Sequence, residues 1–271
     1  MVPQVFQSEL SMAVINPFEL QKPLGGVGKI IAIGAGKGGV GKSTVSVNLA
    51  IALEKAGNKV GLLDADIYGP SVPKMLNLSR LRPNMSANKR IQPLTNFGIK
   101  TMSMGYLVDD AAAIIWRGPM LFKAMDQFLR DVDWGELDYL LVDLPPGTGD
   151  VQLSLAQKVP VAGAIVVSTP QDMALMDVKR CIDMFKKVKT PILGLIENMA
   201  GFVCPHCSHE SPLFEKGELH DFCKAHGIPI LAQIPFKPTL GRAAETGQPE
   251  LDNLFMEAAQ NLSRSLENKK T

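Results

Sequence analysis

The stretch "GAGKGGVGKST", residues 34–44, decides the fold of this chain. It contains Gly36, four intervening residues and then Gly41-Lys42-Ser43, which is the spacing of a phosphate-binding loop. The apolar segment KIIAIGA before it is typical of a buried strand, and the segment KSTVSVNLAIALEKAG after it has apolar residues at helical spacing. A loop of this kind binds phosphate where a strand leads into a helix. We therefore expect a nucleotide site in an α/β fold.

Strand-like and helix-like segments alternate through the rest of the chain. Strands that are apolar on both faces, separated by helices, predict a mostly parallel sheet with helices on both faces. Pro83, Pro93 and Gly98 indicate that residues 80–105 form a loop and a short hairpin inserted into this pattern. We expect a loosely structured arm over 1–28 and a single domain over 29–271. The expected later strands are 59–66, 139–145, 163–170, 191–199 and 229–235.

The composition excludes several classes of protein. The 271 residues carry a formal net charge of +1 with mixed signs, so a nucleic-acid footprint is not expected. Apolar runs are shorter than the roughly 18–20 residues of a membrane span, and the N-terminus lacks the features of a secretory or mitochondrial leader. The C-terminal segment 251–271 is amphipathic with a polar face of mixed sign, so we expect it to pack on the domain. A cytoplasmic location fits best.

The loop predicts how a nucleotide is held. Its glycines allow the backbone N–H groups to point at phosphate oxygens. We expect Lys42 to reach the β and γ phosphates of ATP, Ser43 to bind Mg²⁺ and Thr44 to contact a phosphate. The candidate nucleotide-binding residues of the loop are Gly36, Lys37, Gly38, Gly39, Val40, Gly41, Lys42, Ser43 and Thr44.

Acidic residues follow two of the expected strands. Asp64 and Asp66 come after the second strand, and Asp143 follows a later one. The carboxyl ends of parallel strands line the ligand crevice of an open sheet. Carboxylates there can hold the water shell of Mg²⁺, so Asp64 and Asp143 are candidate metal residues. Asp66 could instead orient the attacking water.

The loop also contains one lysine more than phosphate binding requires, Lys37. With it, the stretch KGGVGKST resembles the deviant Walker A motif of the MinD/ParA/nitrogenase-iron-protein class of ATPases. The resemblance implies that Lys37 crosses a homodimer interface and stabilises charge on the partner's nucleotide. It implies that Lys37, Lys42 and Asp66 are the catalytic residues of a slow ATPase, and it favours Asp66 over Asp64.

Five further stretches resemble the Mrp/ApbC family of P-loop NTPases, which includes iron–sulfur scaffold proteins. The resemblance extends from about residue 29 to the C-terminus. It implies that Asn198 contacts the adenine base and that the stretch around Pro235 flanks it. The stretches are LLDADIYGPSVPKML, WRGPM, DYLLVDLPPGTGD, TPQDMALMDVKR and GLIENMAGFVCPHC.

Cys204 and Cys207 form a C-x-x-C pair, CPHC. Two thiolates cannot complete a tetrahedral or cubane metal site, which takes four ligands. A zinc site completed by His206 or His209 and an iron–sulfur site shared across a dimer both remain open from the residues alone. A ligand-free thiol pair is a third reading, whereas a thioredoxin-like redox role does not fit a motif that follows a late strand. Cys181 and Cys223 lie in helix-like segments and are expected to be ordinary structural residues.

The Mrp/ApbC resemblance implies a [4Fe–4S] cluster bound between two chains by Cys204 and Cys207 of each. The expected function is then that of an ATP-hydrolysing carrier that delivers clusters to apo-proteins. A MinD- or ParA-like spatial organiser that binds membrane or DNA is the alternative. A metabolic kinase is a third class and would need an acceptor pocket, for which Arg117 is an unassigned candidate whose ordinary reading is a salt bridge or helix-start contact.

Overall fold

The computed structural model describes residues 21–67, 69–107, 118–147, 149–204, 206–207, 209–214, 218–249 and 252–268. Within these residues the chain forms nine strands and eight helices. The strands are β1 (Val27–Gly34), β2 (Val60–Asp64), β3 (Leu94–Asn96), β4 (Ile99–Ser103), β5 (Leu137–Asp143), β6 (Val161–Ser168), β7 (Ile192–Val203), β8 (Glu210–Ser211) and β9 (Ile230–Phe236). The helices are α1 (Lys42–Lys55), α2 (Val72–Met75), α3 (Gly118–Arg130), α4 (Asp150–Lys158), α5 (Asp172–Lys187), α6 (Leu219–Ala225), α7 (Pro238–Thr246) and α8 (Asn253–Asn268).

The described strands form one sheet in the order β3-β4-β2-β5-β1-β6-β7-β8, with β9 paired to β7. Pairing is parallel except for β3 with β4 and β7 with β8. Strand β2 and nearly all of β5 are buried, and β1 is buried from Ile30 onward, as expected for parallel strands with helices on both faces. The mostly parallel α/β fold predicted from the sequence is confirmed.

The order of the strands places the helices in two layers. From β1 the chain moves through β2 to β4 in one direction across the sheet, then returns through β5, β6, β7 and β9 in the other. Since parallel crossovers are right-handed, the reversal transfers the later connections to the opposite face. Helix α8 follows α7 at the end of the described chain and packs against α1 and β9. The sheet changes direction beside β1, which is where open α/β sheets bind ligands.

The prediction for residues 80–105 is corrected by the structure. A hairpin is present, with Asn96 opposite Ile99, but it is not an insertion into the strand pattern. Its second strand, β4, pairs in parallel with β2 and is part of the central sheet. The short β3 alone lies outside it as an antiparallel edge strand. Local turn residues revealed the hairpin, whereas the pairing of β4 with β2 depends on contacts distant in sequence.

Both ends of the described chain pack on the rest of the domain. Leu24 is buried and the Lys22 amide donates to the Lys158 carbonyl at 3.1 Å, so this part of the predicted arm lies against α4. Strand β1 begins at Val27, slightly before the predicted boundary. Helix α8 turns Phe255 and Leu262 into the core, which confirms that it packs on the domain. Among the described helices, none has the length and apolar character needed to cross a membrane.

Candidate nucleotide site and cysteine hairpin

The phosphate loop connects the end of β1 at Gly34 to the start of α1 at Lys42. Gly39 and Gly41 have φ angles of 80° and 78°, which L side chains rarely adopt. Gly36 is required for a different reason. A Cβ atom at this position would lie 2.2 Å from the backbone carbonyl oxygen of Asp177 in α5. Positive φ angles and one close backbone approach together explain Gly36, Gly39 and Gly41.

Asp143 is the centre of a buried hydrogen-bond network beside the loop. The Lys42 ammonium lies 2.7 Å from its carboxylate, and the side chains of both residues are almost entirely buried. The hydroxyl groups of Ser43 and Ser46 donate to the same carboxylate at 2.6 Å and 2.7 Å. The sequence predicted the grouping of Lys42, Ser43 and Asp143. Ser46 was missed, although it lies one helical turn after Lys42 on the same side of α1.

Asp64 lies directly beside Asp143 because β2 and β5 pair in register at these two residues. Burial and the neighbouring Asp143 charge raise the pKa of the Asp64 carboxyl to about 8. Ser103 at the end of β4 donates to this carboxyl at 2.9 Å, and Asp66 donates its backbone amide at 3.1 Å. The side chain of Asp66 is half-buried at the same edge. The carboxylates of Asp64 and Asp143 therefore meet at one end of the sheet, and Asp66 follows two residues after Asp64 at the same edge.

Lys37 lies on the other side of the loop, toward β6. Its ammonium donates to the side-chain oxygen of Gln171 at 3.1 Å. Gln171 precedes α5, and β6 pairs directly with β1. The strand order thus separates the two lysines, since Lys42 turns toward β5 and Lys37 toward β6. Gln171 carries no local signal for this contact, because it is 134 residues away in sequence.

Asn198 on β7 contacts the backbone of the phosphate loop. Its amide nitrogen donates to the carbonyl of Val40 at 2.9 Å. A Cβ atom at Gly41 would lie 2.3 Å from the same nitrogen. Pro235 is buried on β9, which pairs with β7 from Leu195 onward. Both candidate base-contacting residues therefore lie on neighbouring strands at the loop end of the sheet.

The cysteine pair lies at the tip of a β-hairpin. Strand β7 ends at Val203, and β8 returns antiparallel with Glu210 opposite Val203. The Cys204 amide donates to the His209 carbonyl at 3.0 Å, which continues the hairpin by one step. Cys204 is half-buried and Cys207 is exposed. Hydrogen bonds from the backbone amides of Cys207 and His206, and from the Cys207 side chain, hold the pKa of the Cys204 thiol below its ordinary value.

Comparison with known proteins identifies the family of this chain. The model of the ParA family, described as NUBPL iron-transfer P-loop NTPase, matches residues 26–269. The chain belongs to this family. It is 50% identical over 231 residues to the iron–sulfur cluster transfer protein NUBPL of Mus musculus, which covers 84% of this chain and 72% of that protein. It is 48% identical over 263 residues to the iron–sulfur cluster carrier protein of Aquifex aeolicus, covering 94% and 72%.

Two solved structures are similar to this chain. A nucleotide-binding protein of Archaeoglobus fulgidus in complex with ADP is similar with a TM-score of 0.76 at 38% identity, covering 86% of this chain and 93% of that one. The cell division ATPase MinD of Pyrococcus furiosus shares the fold, with a TM-score of 0.63 at 22% identity over 88% of this chain and 99% of that one. The predicted P-loop NTPase fold and family resemblance are both confirmed.

The remaining candidate residues are two further cysteines, two histidines and Arg117. Cys181 and Cys223 are buried in α5 and α6, as ordinary structural residues would be. His206 and His209 are exposed. Within the described part of the chain, no three His, Cys, Asp or Glu side chains are grouped to hold a metal ion. Arg117, the candidate for an acceptor pocket, lies outside the described residues.

Proposed function

We propose that this protein is an ATP-dependent iron–sulfur cluster carrier that works as a homodimer and delivers [4Fe–4S] clusters to apo-proteins. The observation that supports this most is the presence of an ATPase-type phosphate loop and an accessible thiol pair in one chain. The relatives from Mus musculus and Aquifex aeolicus are named as cluster transfer and carrier proteins. The proposal extends that activity to this chain and assigns its residues.

The nucleotide would bind with its phosphates against the loop between β1 and α1. Lys42 would contact the β and γ phosphates, and Ser43 would hold Mg²⁺ together with Asp143 and Asp64, in part through water. Asp143 already orients both Lys42 and Ser43 by hydrogen bonds. Asp66, at the same edge, would position the water that attacks the γ phosphate. Hydrolysis would then depend on charge stabilisation by lysines and on Mg²⁺.

The cluster would be the cargo of the cysteine hairpin. Cys204 and Cys207 supply two thiol ligands, and cluster binding takes four. A second copy of the chain related by a two-fold axis would supply the other two from the same residues. The lowered pKa of Cys204 favours the thiolate, which is the form that binds iron. A site shared between two exposed hairpins would also suit a cluster that must be released.

Anaerobic reconstitution with iron and sulfide tests the proposal directly. We expect about four irons per dimer, with the visible absorption of an iron–sulfur cluster. Cys204→Ala and Cys207→Ala should each lose the cluster. Cys223→Ala is the matched control, because this thiol is buried in α6, and it should retain the cluster.

The same samples separate the proposal from its competitors. Stoichiometric zinc in place of iron, or iron that persists in both hairpin variants, would contradict it. Co-sedimentation of the ATP-bound protein with vesicles or DNA, without any cluster, would favour a spatial organiser of the MinD or ParA kind instead.

A further inference from the structure

Strand β7 physically connects the two sites. Its residue Asn198 contacts the phosphate loop, Met199 lies beside Gly41, and its last residue, Val203, leads directly into Cys204. Asn198 bonds the Val40 carbonyl, and a Cβ atom at Gly41 would lie 3.9 Å from the terminal methyl of Met199. At about 3.3 Å per residue, the thiol of Cys204 is only some 20 Å along the strand from this contact. A displacement of the loop therefore has a short covalent path to the thiols.

The strand is not regular along this path. Met199 has a φ angle of 57°, in the left-handed region that is costly for a side chain other than glycine. The register between β7 and β9 shifts between Asn198 and Phe202, so the strand carries a bulge at this point. Left-handed residues of this kind persist only where their surroundings impose them, and they concentrate at switch regions.

Both sides of the bulge are anchored. On the loop side, Glu197 and Asn198 pair with Gln233 and Ile234 of β9. On the thiol side, Phe202 pairs with β8 and also with Phe236 of β9, and the two phenylalanine rings stack with their centroids 6.4 Å apart. Paired strand therefore connects Met199 to Cys204, so a change of backbone conformation at Met199 reaches the thiols through ordered structure rather than through a loose segment.

We propose that Met199 is a positioning residue that couples the phosphate loop to the cysteine hairpin through the bulge of β7. Phosphate binding would order the loop at Val40 and Gly41, hold the Asn198–Met199 segment and restrict the motion of Cys204 and Cys207. The proposal deepens the proposed function, since it names the link between nucleotide and cargo, but its test requires neither a cluster nor hydrolysis.

The experiment measures thiol reactivity in the metal-free protein. Cys204 and Cys207 are alkylated with iodoacetamide, with and without saturating Mg·ADP, and quantified by peptide mass spectrometry. In the wild-type protein we expect the nucleotide to slow alkylation about fivefold, a coupling of ordinary size. Met199→Gly accepts the left-handed backbone without cost and removes the side chain that lies beside Gly41. In this variant the effect of Mg·ADP on the alkylation rate should fall below about twofold. Saturation is verified for each variant by calorimetry.

Lys89→Gly is the matched control. Lys89 also has a left-handed backbone, with a φ angle of 58°, but it lies exposed in the loop before β3. Its variant should respond to Mg·ADP as the wild type does. The proposal is overturned if Mg·ADP leaves the wild-type rate unchanged, if Met199→Gly responds fully, or if sedimentation shows that only dimeric samples are slowed. A failed cluster reconstitution would instead count against the proposed function and leave this result intact.

Discussion

At the residue scale, Gly36 illustrates how a single hydrogen atom in place of a side chain positions the site. A Cβ atom there would overlap the Asp177 carbonyl of α5, since 2.2 Å is far inside the contact distance of real Cβ atoms. Backbone cannot move aside as a flexible side chain can. The absence of a side chain at Gly36 therefore allows the loop to pack directly against the first half of α5.

Gly36→Ala is expected to weaken the binding of Mg·ADP by more than about tenfold, which corresponds to about 1.4 kcal/mol. The added methyl group would push the loop away from α5 and misalign its N–H groups. Isothermal titration calorimetry measures the change. The control is Gly241→Ala in α7, where an added Cβ atom meets nothing within 4 Å, and it should bind as the wild type does. Equal affinities for wild type and Gly36→Ala would show that the loop can shift freely.

At the scale of elements, Asp252 joins the starts of two helices. Its carboxylate accepts the backbone amide of Leu254 at 3.0 Å in the first turn of α8, and it pairs with the Lys237 ammonium immediately before α7. Burial alone would raise the pKa of this carboxyl, but the hydrogen bonds from Lys237 and Leu254 and the charge of Lys237 bring it below the ordinary value. Helix α8 in turn covers α1 and β9.

We expect Asp252→Asn to lower the free energy of unfolding by about 1 kcal/mol at pH 7, as the loss of a charged cap does. A lowered pKa in the folded state means that the carboxylate stabilises the protein above the ordinary pKa of 3.8 and ceases to do so as the pH falls through the lower folded value. The difference in the free energy of unfolding between wild type and Asp252→Asn should therefore become smaller below about pH 4. Urea unfolding at several pH values measures it.

Glu257→Gln is the control for charge alone, because Glu257 is exposed on α8. It should change the free energy of unfolding by less than about 0.5 kcal/mol at pH 7. If the difference in the free energy of unfolding between wild type and Asp252→Asn stays constant down to pH 3, the role assigned to the carboxylate is wrong.

At the scale of the whole molecule, the two lysines of the loop allow the proposed dimer to be tested. Lys42 lies in the loop's own site against Asp143, whereas Lys37 contacts Gln171 on the opposite side. If Lys37 acts on the partner's nucleotide, Lys37→Ala and Lys42→Ala should each abolish ATP hydrolysis alone. Mixed in equal amounts they should recover about a quarter of the wild-type rate, because half of the dimers then contain one complete site.

Steady-state phosphate release measures the rate of ATP hydrolysis in the mixture. A double variant that carries both substitutions is mixed with wild type to measure the extent of subunit exchange. An inactive mixture with demonstrated exchange would mean that Lys37 acts within its own chain.

The sequence determined the features that depend on neighbouring residues. The glycine spacing of 34–44, the alternation of strands with helices and the cysteine spacing of CPHC each express a local constraint on backbone angles or side-chain direction. The family resemblance, carried by the same motifs, was confirmed by the match over residues 26–269. The roles of Asp66, Asn198 and Pro235 and the cytoplasmic location stay predictions.

The tertiary structure decided which of these local features meet. The register of β2 with β5 places Asp64 beside Asp143, and the pairing of β4 with β2 brings Ser103 to Asp64. Asn198 reaches Val40 across 158 residues of sequence, and a bulge at Met199 then directs the strand toward the thiols. Such contacts depend on strand order and register over the whole sheet. Because the same strand patterns would suit several orders, no local stretch of the chain encodes them.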